Sequence, residues 1–93
     1  MKILIVGAGA VGFHLAHHLS EEGHDIVLID QDRERAANVQ DQLDIMTVVG
    51  NGASLAVLEK AGIADLDLLA AVTNVDEVNL IACMSAAPYN IGT

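Results

Sequence analysis

Apolar residues fall along the chain in four short runs, each followed by a stretch in which they recur every three or four positions. The first run, Lys2–Val6, is continuous rather than alternating, which is how a strand reads when both its faces are covered. Over residues 10–22, Val11, Leu15, Ala16 and Leu19 share one face at helical spacing, and Gly23 stands where a helix stops. Asp25–Asp30 predicts a second strand with Ile26, Val27, Leu28 and Ile29 as its apolar body. Asp32 can cap the next helix, whose inner face carries Ala36, Val39 and Leu43. A third strand over 45–49 closes on Gly50-Asn51-Gly52, and a shorter helix over 54–61 turns Leu55 and Leu58 inward and stops at Gly62. A fourth strand over 68–72 follows. Asn74, with Glu77 three residues on, reads as a capping box opening a last helix, and Pro88 marks the end of that helix.

Strands alternating with helices of this length mean βαβ units and a parallel sheet. Right-handed crossovers then place the strands in the order 3-2-1-4, an α/β doubly wound sheet forming a single domain over residues 1–93. A complete domain of this kind carries a fifth and a sixth strand. The chain is therefore expected to be the front part of one, truncated after the fourth strand and helix. The outer edge of the fourth strand would be unpaired, and the residues after Pro88 look too few to cover it. The last helix carries Val78, Leu80, Ile81, Ala82, Cys83, Met84 and Ala86 nearly all round, so it calls for cover on more than one face. Edge and helix together predict a self-associating chain rather than a stable monomer.

Composition narrows the partners. The net charge of -9, with four basic residues that form no run, argues against nucleic acid and against direct contact with an anionic membrane. No stretch approaches the length of a membrane span. The opening run is too short and too soon broken by glycine to be the core of a signal peptide. With one cysteine, Cys83, the chain can form no internal disulfide, which fits a reducing cytosol. Cys83 has no basic neighbour in sequence to activate it and reads as inert.

The candidate chemistry lies in the loops at the carboxyl ends of the strands. Gly7-Ala8-Gly9-Ala10-Val11-Gly12 is a G-x-G-x-x-G between the first strand and the first helix. In that context Gly7 permits the tight turn, Gly9 the close approach of a pyrophosphate, and Gly12 the packing of helix on strand. The helix start adds free N–H groups and a partial positive charge for phosphates. Asp30 ends the second strand, where an acid accepts hydrogen bonds from the adenosine ribose, and Gln31 follows it as a further candidate contact. Asp30 and Asp32 would repel a 2′-phosphate, so NAD(H) is expected over NADP(H), and Arg33 beside them is a poor phosphate site. Together these features make the fold Rossmann-type. Asn51, Gly52, Ala53 and Ser54 form a small-residue loop able to close over the adenine side. Thr73 and Asn74 open a second helix at the switch point between the first and fourth strands, where ligands of such sheets bind. His14, His17 and His18 have a spacing that mimics a metal site, but they read as a solvated face with no metal.

These segments resemble the N-terminal nucleotide-binding domain of the Trk/RCK family, regulators of potassium transporters and channels. The matching stretches are 2–12, 29–32, 48–54 and 71–83. The most specific are Val49-Gly50-Asn51-Gly52-Ala53-Ser54 and Val72-Thr73-Asn74-Val75-Asp76-Glu77-Val78-Asn79 through Ala82-Cys83. The resemblance implies ligand contacts at Gly7, Gly9, Ala10, Val11, Asp30, Ser54, Thr73 and Asn74. It also implies NAD(H), or ATP or ADP in some relatives, as the ligand. It further implies a cytoplasmic, non-enzymatic regulatory subunit that assembles into dimers or rings beneath a membrane-embedded potassium transporter or channel. The competing readings are the cofactor half of an NAD-dependent oxidoreductase, which lacks an evident acid or base here, and an interaction module that keeps the fold without the ligand.

Overall fold

The computed structural model describes residues 1–93. Four parallel strands, β1 (Lys2–Val6), β2 (Asp25–Asp30), β3 (Met46–Val49) and β4 (Leu68–Ala71), form one sheet in the order β3-β2-β1-β4. Helices α1 (Ala10–Glu21), α2 (Arg33–Leu43), α3 (Leu55–Lys60) and α4 (Asp76–Ala86) connect or follow them. Short 3-10 turns span Ile63–Asp65 and Ala87–Tyr89. The predicted order and all eight main elements are present, with boundaries moved by one or two residues.

The sheet has a core on each face because its central strands alternate between two apolar sets. Ile3, Ile5, Ile26 and Leu28 point to the side of α1 and α2, where they meet Ala16 and Val39. Leu4, Val6, Val27 and Ile29 point to the other side, against Leu58 of α3 and Ala82 and Ala86 of α4. β1 and β2 are buried along nearly their whole length, as their unbroken apolar runs require. The outer strands are only partly covered.

Three assignments need correction, each at the start of a helix. Val11 is 64% exposed, since the first turn of α1 overhangs the carboxyl edge of the sheet and Gly12 takes the contact instead. Leu55, first in α3, is half exposed, and the inward face is formed by Leu58 and Ala61. The capping box on α4 does not form. The helix starts at Asp76 after Val75, with no side-chain cap. Asn74 therefore sits one position too early to cap, and Glu77 too early in the helix to complete the box.

The tail departs from expectation too. The Leu69 N–H donates to the Gly92 carbonyl at 2.8 Å and the Gly92 N–H to the Asp67 carbonyl at 3.2 Å, making a parallel bridge between Leu68 and Gly92. Ile91 packs on the core beneath. The 3-10 turn at Ala87–Tyr89 and the left-handed Asn90 reverse the chain at once, so a handful of residues does reach the lower part of the β4 edge. No helix is long and apolar enough to cross a membrane.

Candidate functional site

The loops leaving β1, β2, β3 and β4 enclose a cleft of about 380 Å³ at the carboxyl edge of the sheet. Its apolar floor comes from strand ends and α4: Val6, Ile29, Val72 and Val78.

The glycine turn forms one wall. Gly7 has φ +117°, and its N–H donates to the Ile29 carbonyl at 2.8 Å. A Cβ on Gly7 would lie 3.0 Å from the Thr73 nitrogen, so the turn is pressed against the loop after β4. A Cβ on Gly12 would overlap the Gly7 carbonyl oxygen outright, which shows how directly α1 is seated on the turn. Gly9 differs from both. It precedes α1 with an ordinary φ of -70°, a Cβ there would meet nothing within 4 Å, and it lines the cleft beside Ala10 and Val11. The N–H groups of Ala10, Val11 and Gly12 start the helix and so have no intrahelical acceptor, which leaves a concentration of donors and partial positive charge at this wall.

Asp30 stands opposite, 7% exposed. Its Oδ2 accepts the Ala8 N–H at 2.7 Å, and its Oδ1 accepts the Asp32 N–H at 2.7 Å and the Arg35 guanidinium at 3.2 Å. Arg35 also lies 3.8 Å from the Asp32 carboxylate, which caps α2 by accepting the Glu34 and Arg35 N–H groups. Arg35, not Arg33, is thus the cation of the site, and it lines the cleft with Gln31. Its position in the first turn after the Asp32 cap, which faces back toward Asp30, was the available signal. Asp30 and Arg35 are the only titratable side chains on the cleft, and they are paired with each other.

The loop after β3 contributes Gly50, Asn51 and Gly52. The Gly50 N–H donates to the Asp30 carbonyl at 2.9 Å, and Asn51 Oδ1 accepts the Ala53 N–H at 2.9 Å. Ala53 and Ser54 lie off the cleft; Ser54 caps α3, its Oγ accepting the Val57 N–H at 3.5 Å. Gly12 likewise packs behind the wall rather than on it.

The loop after β4 closes the fourth side with Thr73, Asn74 and Val75. Asn79 of α4, absent from the expected site residues, holds it. Asn79 Oδ1 accepts the Thr73 N–H at 3.0 Å and the Thr73 hydroxyl at 2.7 Å, while its Nδ2 donates to the Thr73 carbonyl at 3.0 Å. The expected site residues that meet at the cleft are therefore Gly7, Gly9, Ala10, Val11, Asp30, Gln31, Asn51, Gly52, Thr73 and Asn74, and those outside it are Gly12, Ala53 and Ser54.

His14, His17 and His18 lie on the exposed face of α1, where His17 pairs with Glu21 at 2.9 Å and His18 with Glu22 at 3.1 Å. Cys83 is partly buried against the core under α4.

The donors at the α1 start, the open approach at Gly9 and the acid at the end of β2 fit a phosphate-bearing nucleoside with its ribose toward Asp30. Comparison with known proteins agrees with this fold. Residues 3–90 match the family described as the TrkA-N domain. The chain is 52% identical over 86 residues to the Trk system potassium uptake protein TrkA of Halomonas elongata, covering 92% of this chain and 19% of that protein. Among solved structures it is similar to the TrkA-N domain of the inner membrane protein ybaL from Escherichia coli (TM-score 0.83, 24% identity, 98% of this chain and 67% of that one). It is also similar to the Shewanella denitrificans Kef CTD in AMP-bound form (TM-score 0.83, 22% identity, 97% of this chain and 54% of that one). At these identities the two structures speak to the fold alone. The chain spans about a fifth of the length of the curated relative.

Proposed function

The chain belongs to the TrkA-N domain family, and on that premise we propose that it binds NAD(H), with ATP or ADP as alternatives, in the cleft at the carboxyl edge of the sheet. The carrying observation is the convergence of three features on one cleft: the unobstructed backbone at Gly9, the free N–H groups at the start of α1, and the Asp30 carboxylate. Phosphates lie at the helix start, where donors are fixed in advance and the dipole favours negative charge. The adenosine ribose lies toward Asp30, whose Oδ2 accepts one backbone N–H and keeps a lone pair for a hydroxyl.

The role proposed is regulatory. The whole protein would be a cytoplasmic component of a potassium uptake system, held at the inner face of the membrane by a membrane-embedded transporter subunit and self-associating as a dimer or ring. A nucleotide acts there by its difference in affinity for two conformations, which shifts the balance between them and gates transport. Turnover has no part in this reading: the cleft's two charged side chains, Asp30 and Arg35, are paired with each other at 3.2 Å, and no histidine, lysine, tyrosine or cysteine lines it. Titrating the chain into NADH and following nicotinamide fluorescence tests the binding step. Saturable enhancement at micromolar NADH supports the reading; an unchanged spectrum removes NADH as the ligand, and no rise in melting temperature with ATP or ADP either refutes the nucleotide reading.

A further inference from the structure

The wall formed by Thr73 is unusual in its donors and acceptors. A single side-chain amide takes both backbone groups of Thr73: Asn79 Oδ1 accepts its N–H at 3.0 Å, and Asn79 Nδ2 donates to its carbonyl at 3.0 Å. These two bonds fix the amide orientation, because reversing it would set donor against donor and acceptor against acceptor. The Thr73 hydroxyl hydrogen is also used within the loop, toward Asn79 Oδ1 at 2.7 Å or the Val75 carbonyl at 3.1 Å. Its oxygen in turn accepts the Val75 N–H at 3.2 Å. What remains for a ligand is one lone pair on Oγ1. The same loop lies against the glycine turn, since a Cβ on Gly7 would come within 3.0 Å of the Thr73 nitrogen.

We propose that Asn79 is a positioning residue that locks Thr73 as an acceptor-only wall, so that beyond the phosphates the cleft takes a hydroxyl- or amide-bearing group in preference to a further phosphate. The inference rests on the nucleotide reading of the cleft. A phosphate oxygen needs a donor and finds none on Thr73; a sugar hydroxyl or a carboxamide N–H finds an acceptor. This favours the second half of a dinucleotide over the terminal phosphate of a triphosphate.

AMP is the internal control, because on the nucleotide reading its single phosphate lies at the α1 start and it carries nothing further to reach Thr73. With the 93-residue chain, calorimetric titration of AMP, ATP and NADH against wild type, Asn79→Ala and Thr73→Val separates the possibilities: wild type should bind NADH more tightly than ATP, and ATP bound as tightly or more so would overturn the proposal. Asn79→Ala and Thr73→Val should each weaken NADH by about tenfold, the worth of one buried hydrogen bond, and leave AMP within about threefold. The double variant should be little worse than either alone, since both remove one device. In the ligand-free chain, Asn79→Ala should speed amide exchange at Thr73 by at least about tenfold while leaving Leu4 and Leu28 in the central strands unchanged. Equal losses for AMP and NADH, an unaffected NADH affinity, or unchanged exchange at Thr73 would overturn the proposal. A wild-type chain that binds neither nucleotide would overturn the nucleotide reading and, with it, the selectivity; a wild-type chain that binds both, with each variant losing AMP and NADH by the same factor or losing neither, would overturn the selectivity alone.

Discussion

The Asp30 carboxylate holds the Ala8 N–H at 2.7 Å, tying the end of β2 to the middle of the glycine turn. An acid in this place is expected to read the ribose, and here it also shapes the loop that would hold the phosphates. Its other oxygen is occupied by the Asp32 N–H and by Arg35. These two roles make a joint prediction. Asp30→Ala should weaken NAD by the lost ribose contact, about 1–3 kcal/mol, and destabilise the fold as well, because the Ala8 N–H is left buried and unpaired. It should also lower Tm and shrink the preference for NAD over NADP. Titrations of both dinucleotides, with melting curves for the variant and the wild type, check this; an unchanged Tm would show that the loop does not depend on Asp30.

Arg35 predicts a specificity effect of the opposite sign. It lies between Asp30 and Asp32 and offsets one of their two charges. Arg35→Ala should leave NAD binding nearly intact, weaken NADP, and so raise the NAD/NADP ratio several-fold, more at low salt than at high. An unchanged ratio would mean that Arg35 does not act on the region of the 2′-position, and a ratio that falls would contradict its assigned role.

The glycines of the turn should separate binding from folding. A Cβ at Gly9 meets no atom within 4 Å in the free chain, yet the branched side chain of Gly9→Val would fill the approach to the helix start. It should abolish nucleotide binding at little cost in stability. Gly7→Val forces a branched residue to φ +117° and toward the loop after β4, and should cost about 2 kcal/mol or more. Urea denaturation of both variants beside their nucleotide titrations checks the pair. Equal destabilisation would contradict the local geometry.

Much of this was legible in the sequence, for physical reasons that differ by element. The central strands could be read because burial on both faces demands unbroken apolar runs, as in Lys2–Val6 and Asp25–Asp30. The glycine turn could be read because few sequences satisfy a left-handed turn and a backbone contact together. Val11 and Leu55 misled because helical periodicity says which residues share a face but not where the sheet beneath that face ends. Asn74 misled because capping is decided by one residue of register, and the Thr73 hydroxyl, by accepting the Val75 N–H, delays the helix start. Asn79 and Arg35 were not among the expected site residues because their partners are chosen by tertiary placement, although each lies within a turn or two of a residue already marked.

The exposed apolar face of α4 predicts association. Leu80, Ile81 and Met84 are 62%, 43% and 64% exposed. Gly92 pairs with the lower part of the β4 edge, so the helix face rather than a bare edge is the larger apolar liability. Light scattering at micromolar concentration should give a mass above that of a monomer, and Leu80→Glu with Met84→Glu should restore the monomer without loss of fold. A wild-type monomer over this range would mean the face is tolerated in water.

The most direct test of the central claim is the melting temperature of the chain in NAD, NADH, NADP, ATP, ADP and AMP, with Gly9→Val measured alongside. A ligand at about a hundred times its Kd stabilises the native state by about 2.7 kcal/mol, which for a domain of this size raises Tm on the order of 10 °C. The account predicts a saturable rise of that order for NADH or NAD, a smaller one for NADP, and none for any nucleotide with Gly9→Val. No rise with any of the six in the wild-type chain, or an equal rise in Gly9→Val, would contradict it.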